Sequence, residues 1–228
     1  MKHTKFYILI GIFLLLANIS CSTKLAIETT KDSTKKTYCN ITPSETLKNT
    51  LASLTGNSSQ KDFYNTDLLT QSLIEAGFSV ENISVTEDGG LSLNINAQQL
   101  EIPGCTTGQN SFMFLINPQT MAQIINLVPE ETKSYIDLLM APIITGEEIS
   151  SSEYVAVIAS MYGNTLANEL QESKITISFT APTEIISATI EPKTAQNSII
   201  KKNTANFTLP LSEFLSLFSG VKFSIQWK

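Results

Sequence analysis

Histidine is nearly missing from this chain of 228 residues, and its one copy is His3. Arginine is missing altogether, so all 15 basic side chains are lysines. Beyond the first 20 residues there is no imidazole. That excludes Ser-His-Asp and Cys-His catalysis there, and every histidine metal site. No phosphate-cradling G-x-x-x-x-G-K-[ST], no G-x-G-x-x-G and no G-x-S-x-G occurs. Nor does any spaced Asp/Asn run of the calcium-loop kind. Lys2 and Lys5 precede Cys21, leaving 13 of the 15 lysines against all 21 acidic residues, a formal charge of −8 for the remainder. Binding to nucleic acid needs cations to displace counterions from phosphates, so a nucleic-acid partner is not expected. Attraction to anionic lipid is disfavoured for the same reason, and further membrane contact would have to be apolar.

One long apolar run is present, at the start. Lys2 and Lys5 are followed by Phe6–Ala17, FYILIGIFLLLA, 12 residues. A spanning helix needs about 20 apolar residues to cross a hydrocarbon core ~30 Å thick. The run therefore reads as the h-region of a signal peptide, residues 1–20, ending at Asn18-Ile19-Ser20 before Cys21. No later stretch approaches 18 apolar residues. The sequence ANISC resembles a lipobox, with Ser20 fitting the last position and Asn18 standing where the usual pattern has Leu. Relaxed boxes of this kind are similar to those of spirochaete lipoproteins. The resemblance implies cleavage before Cys21 and a diacylglycerol on that cysteine, usually with an added acyl chain (palmitate or similar). Two lipid signals give stable anchoring where one chain gives only marginal binding. An ordinary signal peptide cut nearby, with Cys21 as a thiol, and an uncleaved anchor are the other readings. Ser22, where a retention signal would place Asp, points to the outer membrane as the site of a lipid-anchored envelope protein.

The remaining 208 residues (228 less 20) suffice for a sizeable core. Residues 21–37 read as the lipidated cysteine and a flexible Ser/Thr/Lys-rich tether, with a short strand at Leu25–Thr29. Residues 38–228 read as a single α+β domain. Helices are expected from Thr42, with Pro43 in its first turn, to Leu54, and from Asp62 to Ala76, stopped by Gly77. Strands follow at 78–86, Leu91–Ala97 and Ser111–Ile116, the last apolar throughout. Asn117-Pro118 opens another helix. A longer one runs from Ser151 to Glu172 behind a Ser150/Glu153 capping box. Period-two alternation then marks 175–180, 186–190, 205–209 and 221–227, with a short helix at Ser212–Phe218. Residues 174–228 thus read as an antiparallel sheet with one wet face. The expected architecture is α+β: an antiparallel β-sheet covered on one face by several helices.

If Cys21 takes lipid, Cys39 and Cys105 remain, either as a disulfide or as two buried thiols. Ser33/Lys36 and Ser198/Lys201 match S-x-x-K by spacing, without the K-T-G or S-D-N that accompanies it in penicillin-binding proteins. Glu130/Glu131 and Glu147/Glu148 are adjacent carboxylates of the kind usual at helix starts and in loops. No catalytic residue, metal site or cofactor is expected. The segment Tyr135, Ile136, Leu138, Leu139, Met140, Ile143 and Ile144 is apolar almost all round, as suits either a central core helix or a surface for an apolar ligand or a membrane. Three stretches, ANISC, SSSEYVAVIASMYGNTLANEL with KITISFTAPTEIISATI, and NFTLPLSEFLSLFSGVKFSIQW, resemble small bacterial envelope lipoproteins. The helix–sheet–terminal-Trp layout is distantly similar to LppM-type lipoproteins. The missing catalytic motifs and the apolar segment at 135–144 together give the expectation of a non-enzymatic, membrane-anchored envelope protein that binds lipid or another apolar ligand. The other expectation is a structural or interaction lipoprotein of an envelope complex, or a surface antigen.

Overall fold

A computed structural model describes residues 20–30, 35–55, 66–75, 77–97, 104–125, 149–191, 197–216 and 220–228. The strands are β1 (Ser20–Thr29), β2 (Lys35–Pro43), β3 (Ser79–Val85), β4 (Leu91–Ala97), β5 (Cys105–Gly108), β6 (Ser111–Ile116), β7 (Lys174–Thr180), β8 (Ile185–Glu191), β9 (Asn197–Lys201), β10 (Thr204–Pro210) and β11 (Val221–Trp227). The helices are α1 (Glu45–Thr55), α2 (Thr66–Glu75), α3 (Pro118–Ile125), α4 (Ser151–Tyr162), α5 (Asn164–Glu172) and α6 (Leu211–Ser216). The fold is mixed α and β, with strands predominating and arranged in two sheets. Seven strands run in the order β3-β4-β2-β1-β7-β10-β9, and four in the order β5-β6-β11-β8.

The inner faces of the two sheets meet through aromatic rings. Phe179 of β7 stacks on Phe112 of β6, with ring centroids 4.8 Å apart, and on Trp227 of β11 at 5.8 Å. Phe207 of β10 meets Phe223 of β11 edge-on at 5.2 Å. Period two in each strand supplies these faces. Ile175, Ile177 and Phe179 point inward from β7, and Val221, Phe223, Ile225 and Trp227 from β11, while the residues between them are more exposed. The C-terminal strands therefore do not form one antiparallel sheet of their own. β7, β9 and β10 join the larger sheet, and β8 and β11 the smaller. β6 is not buried on both sides either. Phe112, Phe114 and Ile116 are buried, whereas Met113 and Leu115 are half-exposed.

The largest correction concerns the tether. Ser20–Thr29 is a ten-residue strand in the middle of the larger sheet. It pairs antiparallel with β2 and parallel with β7. Thr23, Leu25 and Thr29 are buried and Ile27 packs on the core, so the short strand expected at Leu25–Thr29 is the second half of an ordinary alternating strand that starts in the Ser/Thr-rich stretch. Residues 35–43 form its antiparallel neighbour, continuing past the expected end of the tether. The β1–β7 pairing also makes the larger sheet mixed rather than wholly antiparallel.

Local rules account for the other boundaries. Pro43 ends β2, and the cap of α1 is Ser44, whose Oγ accepts from Leu47 N at 3.1 Å. Asn117 caps α3 as expected, accepting from Thr120 N at 2.8 Å. The Ser150/Glu153 capping box is present at α4. The single helix expected over 151–172 is two helices, because Gly163 between them has φ +91°. Tyr154 and Ile158 of α4 face the core, whereas Val157 and Met161 are exposed.

Gly77 closes α2 in a Schellman motif. Its N–H donates to Ile74 O at 3.0 Å, Phe78 N donates to Leu73 O at 3.1 Å, and the buried Leu73 and Phe78 flank it. Its φ is +95°, and a Cβ there would meet nothing within 4 Å. The cost of Gly77→Ala is therefore conformational. It should lower stability by about 1–2 kcal/mol, seen as a lower denaturant midpoint at unchanged slope.

Candidate functional site

The one residue to which the sequence assigns a role, Cys21, lies in β1 at one end of the larger sheet. Ser20 pairs with Pro43. The register then shifts, and regular pairing begins with Ser22, opposite Thr42 on β2 and Lys174 on β7. Cys21 thus stands on a bulge one residue outside a continuous three-strand ladder.

The strand registers bring a defined set of residues to the same pole. β2 ends there at Pro43, β3 at Val85, and β10 at Pro210 opposite Lys174. Leu211 N donates to Ser173 O at 2.9 Å, joining the start of α6 to the end of α5. α1 is tied to α5 by Glu169, whose carboxylate accepts from Ser44 Oγ at 2.5 Å and Thr46 Oγ1 at 2.6 Å. Lys48 is buried, and its Nζ donates to Glu45 Oε1 at 2.7 Å and to Asp88 O at 2.6 Å. Asp88 sits in the Thr86–Gly90 turn and accepts from the Thr86 hydroxyl and from Gly90 N. The Thr86 bond is the main cause holding the Asp88 carboxyl below its ordinary range. Gly90 is fixed by packing: a Cβ there would lie 2.2 Å from Ile41 O. These bonds join α1, α5 and the β3–β4 turn. Among the described residues no group of histidines, cysteines and acids could hold a metal ion.

Cys39 and Cys105 are not brought together. Cys39 is on the buried face of β2, opposite Leu25 of β1 and Leu93 of β4 in the larger sheet. Cys105 is on β5, the outer strand of the smaller sheet, opposite Phe114. Among the described residues no disulfide joins them. Burial pushes the Cys39 thiol far above its ordinary range. The thiolate is the reactive form, so Cys39 should resist a water-soluble maleimide in folded protein and react once the chain is unfolded in guanidinium. Rapid labelling of folded protein at Cys39 would contradict its buried position.

The S-x-x-K pair Ser198/Lys201 lies on β9. Side chains three apart on a strand point to opposite faces, so this pair does not converge. Ser33, both adjacent carboxylate pairs and the whole apolar segment Tyr135, Ile136, Leu138, Leu139, Met140, Ile143 and Ile144 lie outside the described residues. So does the apolar run Phe6–Ala17. Among the described residues no helix is long and apolar enough to cross a membrane. The polar junction around Glu169 and Lys48 was missed in the sequence, since the bonds that join its separate elements link residues 40 to 125 positions apart that carry no shared motif.

Comparison with known protein families, with curated proteins and with solved structures finds no match to this chain.

Proposed function

We propose that the protein is a cell-envelope lipoprotein, anchored to a membrane by acyl chains on Cys21 and without enzymatic activity of its own. The observation that carries this reading is the sequence from Lys2 to Cys21: a basic start, 12 apolar residues, and a small residue before cysteine. The anchored domain binds lipid or another apolar ligand, a reading supported by the nearly unbroken apolar composition of Tyr135–Ile144. Outer-membrane placement is favoured by Ser22. Fractionation of producing cells tests the anchoring. The protein should stay with the membranes through a carbonate wash and come off in detergent, and a protein found in the soluble fraction would refute it.

A second reading is an interaction lipoprotein of an envelope complex or a surface antigen. It is favoured by the outer side of the larger sheet, where Tyr38, Asn40 and Lys24 are exposed on neighbouring strands.

A further inference from the structure

Resting on the anchoring reading, we infer which surface of the domain faces the membrane: the pole formed by the start of β1, the end of β2, the start of β7 and the Thr86–Gly90 turn. Anchored lipoproteins with a long flexible linker can tumble above the bilayer. Here no linker is left. The apolar run ends at Ala17 and β1 begins at Ser20. The chain enters regular pairing at Ser22, one residue after Cys21, flanked by Thr42 and by Lys174. Consecutive Cα atoms are about 3.8 Å apart, so an acyl group on Cys21 is held within one residue of a strand that has partners on both sides. Peeling β1 away to make a linker would break ladders with β2 and β7 together and uncover Leu25. An uncleaved apolar run would bring the membrane to the same pole, because it ends three residues before β1.

The opposite pole is equally well defined by register. Thr180 pairs with Thr204, and Lys201 with Thr204. Trp227 lies opposite Ile185, and Trp227 N donates to Asn110 O at 3.1 Å. Lys174 to Thr180 is six steps of strand, about 20 Å at ~3.3 Å per residue. The membrane-facing pole exposes Glu45, Glu87, Asp88 and Glu172 beside Lys174. Carboxylates are not drawn to an anionic headgroup layer, so the covalent anchor, not charge, must hold this face down. The partner surface is therefore the headgroup layer, met by a polar and acidic end of the sheet that does not insert.

Fluorescence quenching tests this on the full chain, produced with its leader, purified from membranes and reconstituted in phosphatidylcholine vesicles that carry a nitroxide on the headgroup. Two variants place a tryptophan at either pole, Glu87→Trp in the turn and Lys201→Trp on β9. The emission added by E87W should be largely quenched by the nitroxide lipid, while that added by K201W and that of native Trp227 should be nearly unchanged. Vesicle flotation is measured on the same samples. Protein that floats but shows equal quenching at both positions, or quenching of K201W alone, overturns the assigned orientation and leaves the anchoring intact. Protein that does not float overturns both.

Discussion

Replacing Cys21 by alanine should abolish incorporation of labelled palmitate into the protein, while Cys105→Ala should leave it unchanged. The effect is all or none, because lipid attachment needs a thioether sulfur at that one position and no hydroxyl or amine replaces it. The consequence for location follows from chain number. One acyl chain binds a bilayer marginally and reversibly, and two or more hold it stably. The C21A protein, if its leader is removed elsewhere, should move to the soluble fraction. If the leader stays, the protein remains attached through Phe6–Ala17 but still carries no label. Label on C21A would show that another residue is acylated, and absence of label on the unaltered protein would remove lipidation altogether.

Phe179→Ala should be the most damaging single change in the described core. Phe179 is 1% exposed and lies at the junction of the sheets, stacked on Phe112 at 4.8 Å and Trp227 at 5.8 Å. Truncating a buried Phe removes its transfer free energy and leaves a cavity, together ~3–5 kcal/mol. Stacked rings contribute about 0.5–1.5 kcal/mol beyond their area, part of which is lost as well. Domains are typically stable by only about 5–15 kcal/mol, so F179A should lose a large share of its stability. The expected sign is a much lower midpoint in urea and a changed emission of Trp227, the one tryptophan in the chain. Ile199→Ala serves as the control, since Ile199 is 54% exposed on the edge strand β9 and should change stability by less than about 0.5 kcal/mol. Equal losses in the two variants would contradict the face-to-face packing of the sheets.

Strands with clean alternation were legible before the structure. β7, β10 and β11 fall within a residue of where period two places them, and Asn117, Ser150 and Gly77 act as the caps and stop that their chemistry suggests. Sheet membership was not legible. β7 and β8 are neighbours in sequence yet belong to different sheets, because the chain turns a corner at Ala181, whose N donates to Asn203 O at 2.8 Å. β1 was legible only in its second half, Leu25–Thr29. Its Ser, Thr and Lys content matches a linker, and its parallel partner β7 lies about 150 residues away, beyond any local pattern. The helix expected from Ser151 to Glu172 ran across Gly163, which is a backbone break at positive φ. At the candidate site, Cys21 was singled out by the basic start, the apolar run Phe6–Ala17 and the small residue that precede it. Its setting at the start of a central strand came only from the fold, and that setting removes the flexible spacer.

The intact mass of the mature protein, purified from its own membranes, tests the central claim most directly. Expected is a chain beginning at Cys21, heavier than its 208 residues by a diacylglycerol and an acyl chain, with no change of mass on reduction because Cys39 and Cys105 are unbonded. A mature chain starting at any other residue, or one starting at Cys21 with a bare thiol, would contradict the lipoprotein assignment.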